Sequence, residues 1–155
     1  PAPPPPSPGH MATVAADVVH CDMLVVGAGS AGLTAAKFGA KFGKSVVLVE
    51  KARTGGDCTW YGCVPSKALI RSARAAHAVR TSGKYGVVPR EGGEAVQVDM
   101  KVIRERLDST RQGIYEADDS PEVMAELGVR TILGSARFVD RKTLEVALQE
   151  GAGGA

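Results

Sequence analysis

The sequence predicts an α/β fold built on a βαβ unit, and three observations carry the prediction. A short apolar run, Met23-Leu24-Val25-Val26, ends on a glycine-rich turn. An alanine-rich stretch from Ser30 to Phe42 follows, and a second β-branched run occupies Val46 to Val49. Strand, glycine turn, helix and strand within about 30 residues make one βαβ unit, whose crossover is right-handed.

Composition narrows the partners. Nineteen basic residues against 17 acidic ones leave a net charge of +2 over 155 residues. That balance gives no electrostatic reason to expect nucleic acid or an anionic membrane as partner. No apolar run approaches the ~20 residues of a membrane span. Three cysteines, Cys21, Cys58 and Cys63, are too few for a secreted disulfide scaffold.

Taken in order, residues 1–9 form a proline tract suited to extended polyproline and not to a core. A disordered tail is expected over 1–20. That tail holds no Arg or Lys, which argues against an intact signal or transit peptide. The chain starts without Met, so a cut from a longer product or an incomplete gene model is expected. The run at 23–26 suits a buried parallel strand. The helix from Ser30 to Phe42 carries Lys37 and Lys41 on a face read as solvated. Residues 57–82 read as helix interrupted around Gly62 and Pro65, and 83–97 as a surface loop. Asp99–Glu116 and Pro121–Leu127 are amphipathic helices separated by an acidic turn, Asp118-Asp119-Ser120. Val129–Leu133, Arg137–Val139 and Thr143–Leu148 read as strands, and 151–155 as a disordered tail.

Gly27-Ala28-Gly29-Ser30-Ala31-Gly32 is a GxGxxG. Gly27 permits the tight turn, Gly29 lets a pyrophosphate approach the backbone, and Gly32 lets the helix close on the sheet. The phosphate is expected on the helix N-terminus with Ser30 and Ala31, where free N–H groups and the dipole favour an anion. Glu50 ends the next strand 18 residues past Gly32, where an acid takes ribose hydroxyls. A carboxylate there repels a 2′-phosphate, so FAD or NAD is favoured over NADP at this turn. A bare βα turn with no ligand is the plainer alternative.

Cys58 and Cys63 stand five residues apart. In an undistorted helix that is about 7.5 Å along the axis, beyond the ~7 Å reach of a disulfide. If the two bond, the backbone between them must coil irregularly, and Gly62 supplies the freedom. Cys63 near a restarted helix N-terminus favours thiolate, and Lys67 four residues on shares its face. Buried inert thiols are the bland reading, kept for Cys21. The set Cys21, Cys58, Cys63 and His77 lacks any usual zinc spacing, so no metal site is expected.

With both motifs in hand, the chain resembles the pyridine nucleotide–disulfide oxidoreductases. The likeness runs over the glycine turn, over Val46 to Lys51, above all over Gly55-Gly56-Asp57-Cys58 to Lys67, and more weakly over 128–146. Its Cys-Val-Pro-Ser-Lys ending is nearer the dihydrolipoamide dehydrogenase and mercuric reductase branches than glutathione reductase. The resemblance implies a Rossmann-like FAD-binding domain, here its N-terminal part over 21–150. It also implies a redox-active Cys58–Cys63 disulfide, with Cys63 against the flavin and Cys58 exchanging with substrate. Lys51, Gly56 and Asp57 are implied at the cofactor, Lys67 near its ring system and Ala136 near the adenine. The family's usual Thr is replaced by Asp57, and Trp60-Tyr61 replaces a small or polar pair, which is expected to reshape substrate access.

The function implied is an FAD-dependent dithiol–disulfide oxidoreductase using NAD(P)H or NAD(P)+, acting on a disulfide, dithiol or metal-ion substrate. A homodimer and an intracellular setting, cytoplasm or an organelle such as a plastid or mitochondrion, are expected. The family's second nucleotide-binding domain, second FAD motif and dimerisation domain find no counterpart here. The alternative is therefore a truncated, catalytically incompetent fragment that at most binds FAD. A different flavoenzyme would share the glycine turn and Glu50 but has no use for the cysteine pair.

Overall fold

The computed structural model describes residues 18–87 and 97–149. The expected tail over 1–20 therefore lies outside them except for 18–20, as do most of the loop at 83–97 and the tail at 151–155.

The chain runs β1 (Met23–Val26), α1 (Ser30–Lys41), β2 (Val46–Glu50), α2 (Gly56–Trp60) and α3 (Cys63–Arg80). A 3₁₀ turn at Ser82–Tyr85 follows, then α4 (Met100–Ile114), a π-helical turn at Tyr115–Asp119, α5 (Pro121–Glu126), β3 (Val129–Phe138) and β4 (Leu144–Leu148). One four-stranded sheet has the order β1-β2-β3-β4. β1, β2 and β3 are parallel, with Met23 opposite Val46 and Glu50 opposite Leu133. β4 returns antiparallel to the far half of β3, from Gly134–Leu148 to Phe138–Leu144. The fold is α/β and Rossmann-like.

β2 shows why the apolar runs were legible. Val46, Val47, Leu48 and Val49 are all buried, as a parallel strand covered on both faces requires. The core joins Val25, Leu33, Ala36, Leu48, Met124 and Val129 from both flanking helices and the strands. α1 lies close on the sheet because Gly39 faces it. A Cβ there would come within 2.8 Å of Met23 Sδ and 2.9 Å of Val46 Cγ2.

Three expectations are corrected. Asp118-Asp119-Ser120 is no open acidic turn: α4 continues through a π-helical turn to Asp119, and Ser120 caps α5 by accepting from the Val123 N–H. β3 is one continuous strand, because Gly134 and its neighbours pair with β4 instead of looping out. Lys37 is not a solvated lysine. Its side chain is 24% exposed and bridges to Asp118.

Candidate active site

The glycine turn leaves β1 with Gly27 at φ 94°, and its N–H donates to the Val49 carbonyl at 2.7 Å. A Cβ on Gly32 would collide with the Gly27 carbonyl oxygen, so α1 starts this close to the strand only with glycine there. Nothing lies within 4 Å of where a Cβ on Gly27 would point, and only the Gly56 Cα, at 4.0 Å, for Gly29. The N-terminus of α1 has neither a side-chain cap nor an acidic residue in its first turn. Its first N–H groups are thus free to meet an anion. Ser30 and Ala31 are exposed in that turn.

Glu50 is half-buried at the end of β2, and its carboxylate braces the turn. Oε2 accepts from the Ala28 N–H at 2.7 Å, and Oε1 from the Ala52 N–H at 2.8 Å. A carboxylate offers about four lone-pair sites, so two such bonds leave capacity for ribose hydroxyls. Thr54 is buried beside the same turn, since the next residue, Gly55, donates its N–H to the Ala28 carbonyl at 2.9 Å. The Thr54 hydroxyl has no hydrogen-bond partner among the described residues. Open space over Gly27 and Gly29, uncapped donors and an orphaned hydroxyl fit a dinucleotide such as FAD.

The cysteine segment solves the spacing problem by breaking its helix. α2 ends at Trp60, and the Tyr61 and Gly62 N–H groups both donate to the Asp57 carbonyl, at 2.9 and 2.7 Å. Gly62 leaves helical geometry at φ −112°, ψ −99°, and Cys63 becomes the first residue of α3. That turn brings the two Cα atoms to 4.7 Å, and a disulfide joins Cys58 to Cys63. Cys21 is a free thiol.

The loop is held from beneath by contacts that the sequence pattern does not show. Thr59 Oγ1 donates to Asp119 Oδ2 at 2.6 Å in a buried pair. Trp60 is 4% exposed, and its Nε1 donates to the Thr54 carbonyl at 2.7 Å. Arg53 stacks over one part of the indole, and Tyr115 lies tilted at 5.2 Å. Arg111 donates to the Trp60 carbonyl at 3.1 Å. Trp60 therefore supports the loop from inside and does not line a substrate entrance, contrary to expectation; Tyr61 alone is exposed, at 78%. Only the aromatic's size hinted at this role.

Cys58 opens onto a cleft of about 230 Å3 between α1 and the π-helical turn, bordered also by Ser30, Lys37, Thr59, Asp118 and Asp119. Cys63 and Lys67 are exposed on α3, and Asp57 is exposed on α2. Gly56 lies against the glycine turn. Lys51 is exposed just past β2, and its carbonyl accepts from Gln149 Nε2 at 2.7 Å. Ala136 is half-buried on β3, three residues beyond the Leu133 that pairs with Glu50. No cluster of His, Cys, Asp and Glu suited to a metal occurs among the described residues.

The Cys58–Cys63 disulfide stands one glycine contact away from the GxGxxG turn, and the family model for pyridine nucleotide-disulphide oxidoreductases matches residues 21–151. The chain belongs to this family. Its relatives include a mercuric reductase of Streptomyces lividans, 35% identical over 84% of this chain and 27% of the relative. A dihydrolipoyl dehydrogenase of Haloarcula marismortui is 36% identical over 81% of the chain and 25% of its own length. A glutathione reductase of Schizosaccharomyces pombe is 34% identical over 85% and 28%. The chain thus spans about a quarter of the length of the curated relatives it matches. Pyridine nucleotide–disulfide oxidoreductases are flavoproteins that act on sulfur groups, and this chain carries a Cys58–Cys63 disulfide.

Proposed function

We propose that this chain carries the FAD-binding turn and the redox dithiol of an oxidoreductase working between NAD(P)H or NAD(P)+ and a disulfide, dithiol or metal-ion substrate. The observation that carries the reading is the junction of the two sites. Gly56 opens the cysteine helix against Gly29 of the glycine turn, so the anion-binding end of α1 adjoins the Cys58–Cys63 bridge.

In this reading Gly27, Gly29, Ser30, Ala31 and Gly32 hold a pyrophosphate by backbone N–H groups, and Glu50 takes ribose hydroxyls while bracing Ala28. Lys51, Gly56, Asp57, Lys67 and Ala136 complete the cofactor set, by family resemblance. Bound FAD would supply the two-electron link between a nicotinamide and the thiols. Cys63 heads α3, where first-turn N–H groups favour thiolate, and the Lys67 ammonium one turn on adds a cation. Cys58, facing the cleft, is the thiol that exchanges with substrate once the bridge is reduced. The domain spans 21–150, and a homodimer is carried over from the family.

Gly29→Ala tests the site cleanly. Gly29 has φ −81° and ψ −175°, which any residue adopts, and its Cβ would meet no atom closer than 4.0 Å. The protein should fold unchanged, with the methyl group standing where a pyrophosphate must approach. Flavin fluorescence titration should show FAD affinity at least about tenfold weaker, which is about 1.4 kcal/mol. Equal FAD affinity in the two chains would overturn the reading.

A further inference from the structure

We infer that Asp57 is a positioning residue for the Cys58–Cys63 pair: its carboxylate stands at the head of α3, works against Lys67 on the Cys63 thiolate, and makes the dithiol a stronger reductant. The inference rests on the reading of the pair as a redox dithiol.

Asp57 lies in the first turn of α2, and its backbone carbonyl gathers the Tyr61 and Gly62 N–H groups into the turn between the cysteines. The same turn sets its side chain against the start of α3. A Cβ on Gly62, the residue before Cys63, would stand 3.4 Å from Asp57 Oδ2. That helix start has no side-chain cap and no acid of its own in the first turn. Its donors are few. Pro65 has no N–H, and the Ser66 N–H goes to the Gly62 carbonyl at 3.1 Å, which leaves those of Cys63 and Val64. The Asp57 carboxylate is thus set beside the donors on which a Cys63 thiolate depends.

Lys67, one turn beyond Cys63 on the same face, acts with the opposite sign. Neither Asp57 nor Lys67 joins an ion pair among the described residues. Both are exposed, so water screens each of them. Other charges reach the two helices from their neighbours. Arg106 and Arg111 of α4 donate to the Ala68 and Trp60 carbonyls, Asp108 pairs with Arg111, and Asp119 of the π-helical turn accepts from Thr59. These are already engaged and are common to the parent and to a chain changed only at Asp57.

Reduction of the bridge by dithiothreitol moves two electrons: the S–S bond of the chain opens and the S–S bond of the oxidised reagent's ring forms. The reagent's two thiol protons pass to Cys58 and Cys63 where both end as thiols. Where Cys63 ends as thiolate, one of the two goes to the buffer. A negative charge beside Cys63 penalises only the second case. Asp57 therefore lowers the equilibrium constant for reduction above the Cys63 titration and has no hold on it below.

The test equilibrates the full chain at low ionic strength with reduced and oxidised dithiothreitol, a reagent without charged groups besides its thiols. Alkylation and peptide mass count the reduced fraction, and the rate of Cys63 alkylation against pH locates its titration. Asp57→Asn should lower that midpoint and, on its alkaline side, raise the equilibrium constant for reduction about threefold, which is about 14 mV. Lys67→Met should do the reverse. Both shifts should vanish on the acidic side and shrink in about 1 M salt, where the Debye length is about 3 Å. The opposed signs guard against misfolding, which would move the two variants the same way. A shift of equal size on both sides of the titration marks altered packing and overturns charge tuning. An alkaline constant that Asp57→Asn leaves unmoved overturns it as well, with the redox reading intact. A bridge that equilibrates with the reagent at no ratio overturns the redox reading, and the tuning with it.

Discussion

Gly29 and Gly56 meet backbone to backbone. A Cβ on Gly56, which sits at φ 59°, would lie 2.5 Å from the Cα of Gly29. This contact seats the start of the cysteine helix on the glycine turn, and no side chain on Gly56 could be accommodated without moving one of them.

Gly56→Ala should therefore cost about 2–4 kcal/mol, combining the left-handed backbone penalty with the overlap. Gly43→Ala is the control. Gly43 is also left-handed, at φ 72°, but a Cβ there meets nothing within 4 Å, so only about 1 kcal/mol is expected. Urea midpoints of the two variants against the parent chain decide the matter, and equal shifts would show that the Gly29–Gly56 contact is unimportant.

The disulfide closes a short loop, and its removal should cost about 2 kcal/mol by the chain-entropy estimate. Reduction of the chain, or Cys58→Ser, should lower the urea midpoint accordingly. Non-reducing digestion should give one linked peptide holding Cys58 and Cys63, with Cys21 alkylated as a free thiol. A Cys21-linked peptide would contradict the pairing.

The parts of the molecule legible in the sequence are those governed by neighbours along the chain. Val46–Val49 is apolar because this parallel strand is covered on both faces; Met23–Val26 reads the same way although only Val25 of it is buried, and the glycine turn and Gly62 follow from local backbone needs. What stayed hidden depends on partners far away. Lys37 reads as a surface lysine until Asp118 arrives from the π-helical turn, 81 residues later. Asp119 looks like a turn aspartate, yet Thr59 draws it into the interior from 60 residues back. The residues from Gly134 to Ala136 read as a break, but Gly134 lets the Ala147 carbonyl approach, and the strand runs through. Trp60 stands out in the sequence between the cysteines, but its burial is set by Arg53, Tyr115 and the Thr54 carbonyl together.

The acid side of the stability profile should depend on Asp22 and Ser45, which clasp the start of β1. Asp22 Oδ2 accepts from the Ser45 N–H at 2.9 Å and from the Ser45 hydroxyl at 2.8 Å. The backbone bond, then the hydroxyl bond, hold the Asp22 carboxyl below the usual aspartate range. A lowered folded-state pKa means the stabilisation is full above the unfolded pKa of about 4 and is lost as pH falls through the folded value. The midpoint in urea should thus drop below about pH 4, and Asp22→Asn should flatten part of that slope while mattering more at pH 7 than at pH 2. Asp140, lowered by the Lys142 N–H and the Thr143 hydroxyl, adds a slope of the same sign. An Asp22→Asn profile parallel to the parent's would show that the clasp contributes nothing.

Trp60 should act as both support and reporter for the cysteine loop. It is the one tryptophan of the chain, so intrinsic fluorescence excited at the indole band reads this position alone. Its ring is buried beneath Arg53 and beside Tyr115, and its Nε1 satisfies the Thr54 carbonyl, immediately before the Gly55-Gly56 pair. Trp60→Phe keeps most of the apolar area but leaves that carbonyl without a donor. The expected cost is about 1–3 kcal/mol, the desolvation penalty of a buried unpaired group. Trp60→Ala adds a cavity and should cost about 3–5 kcal/mol. Because Cys58 and Trp60 share α2, reduction of the disulfide should loosen the helix end and shift the emission to longer wavelength as water reaches the indole. The same reduction in Cys58→Ser should give no shift, since no bridge is there to open. If parent and Cys58→Ser respond alike to reductant, the indole is not coupled to the bridge. If Trp60→Phe unfolds at the parent's urea midpoint, the Thr54 carbonyl finds its donor elsewhere.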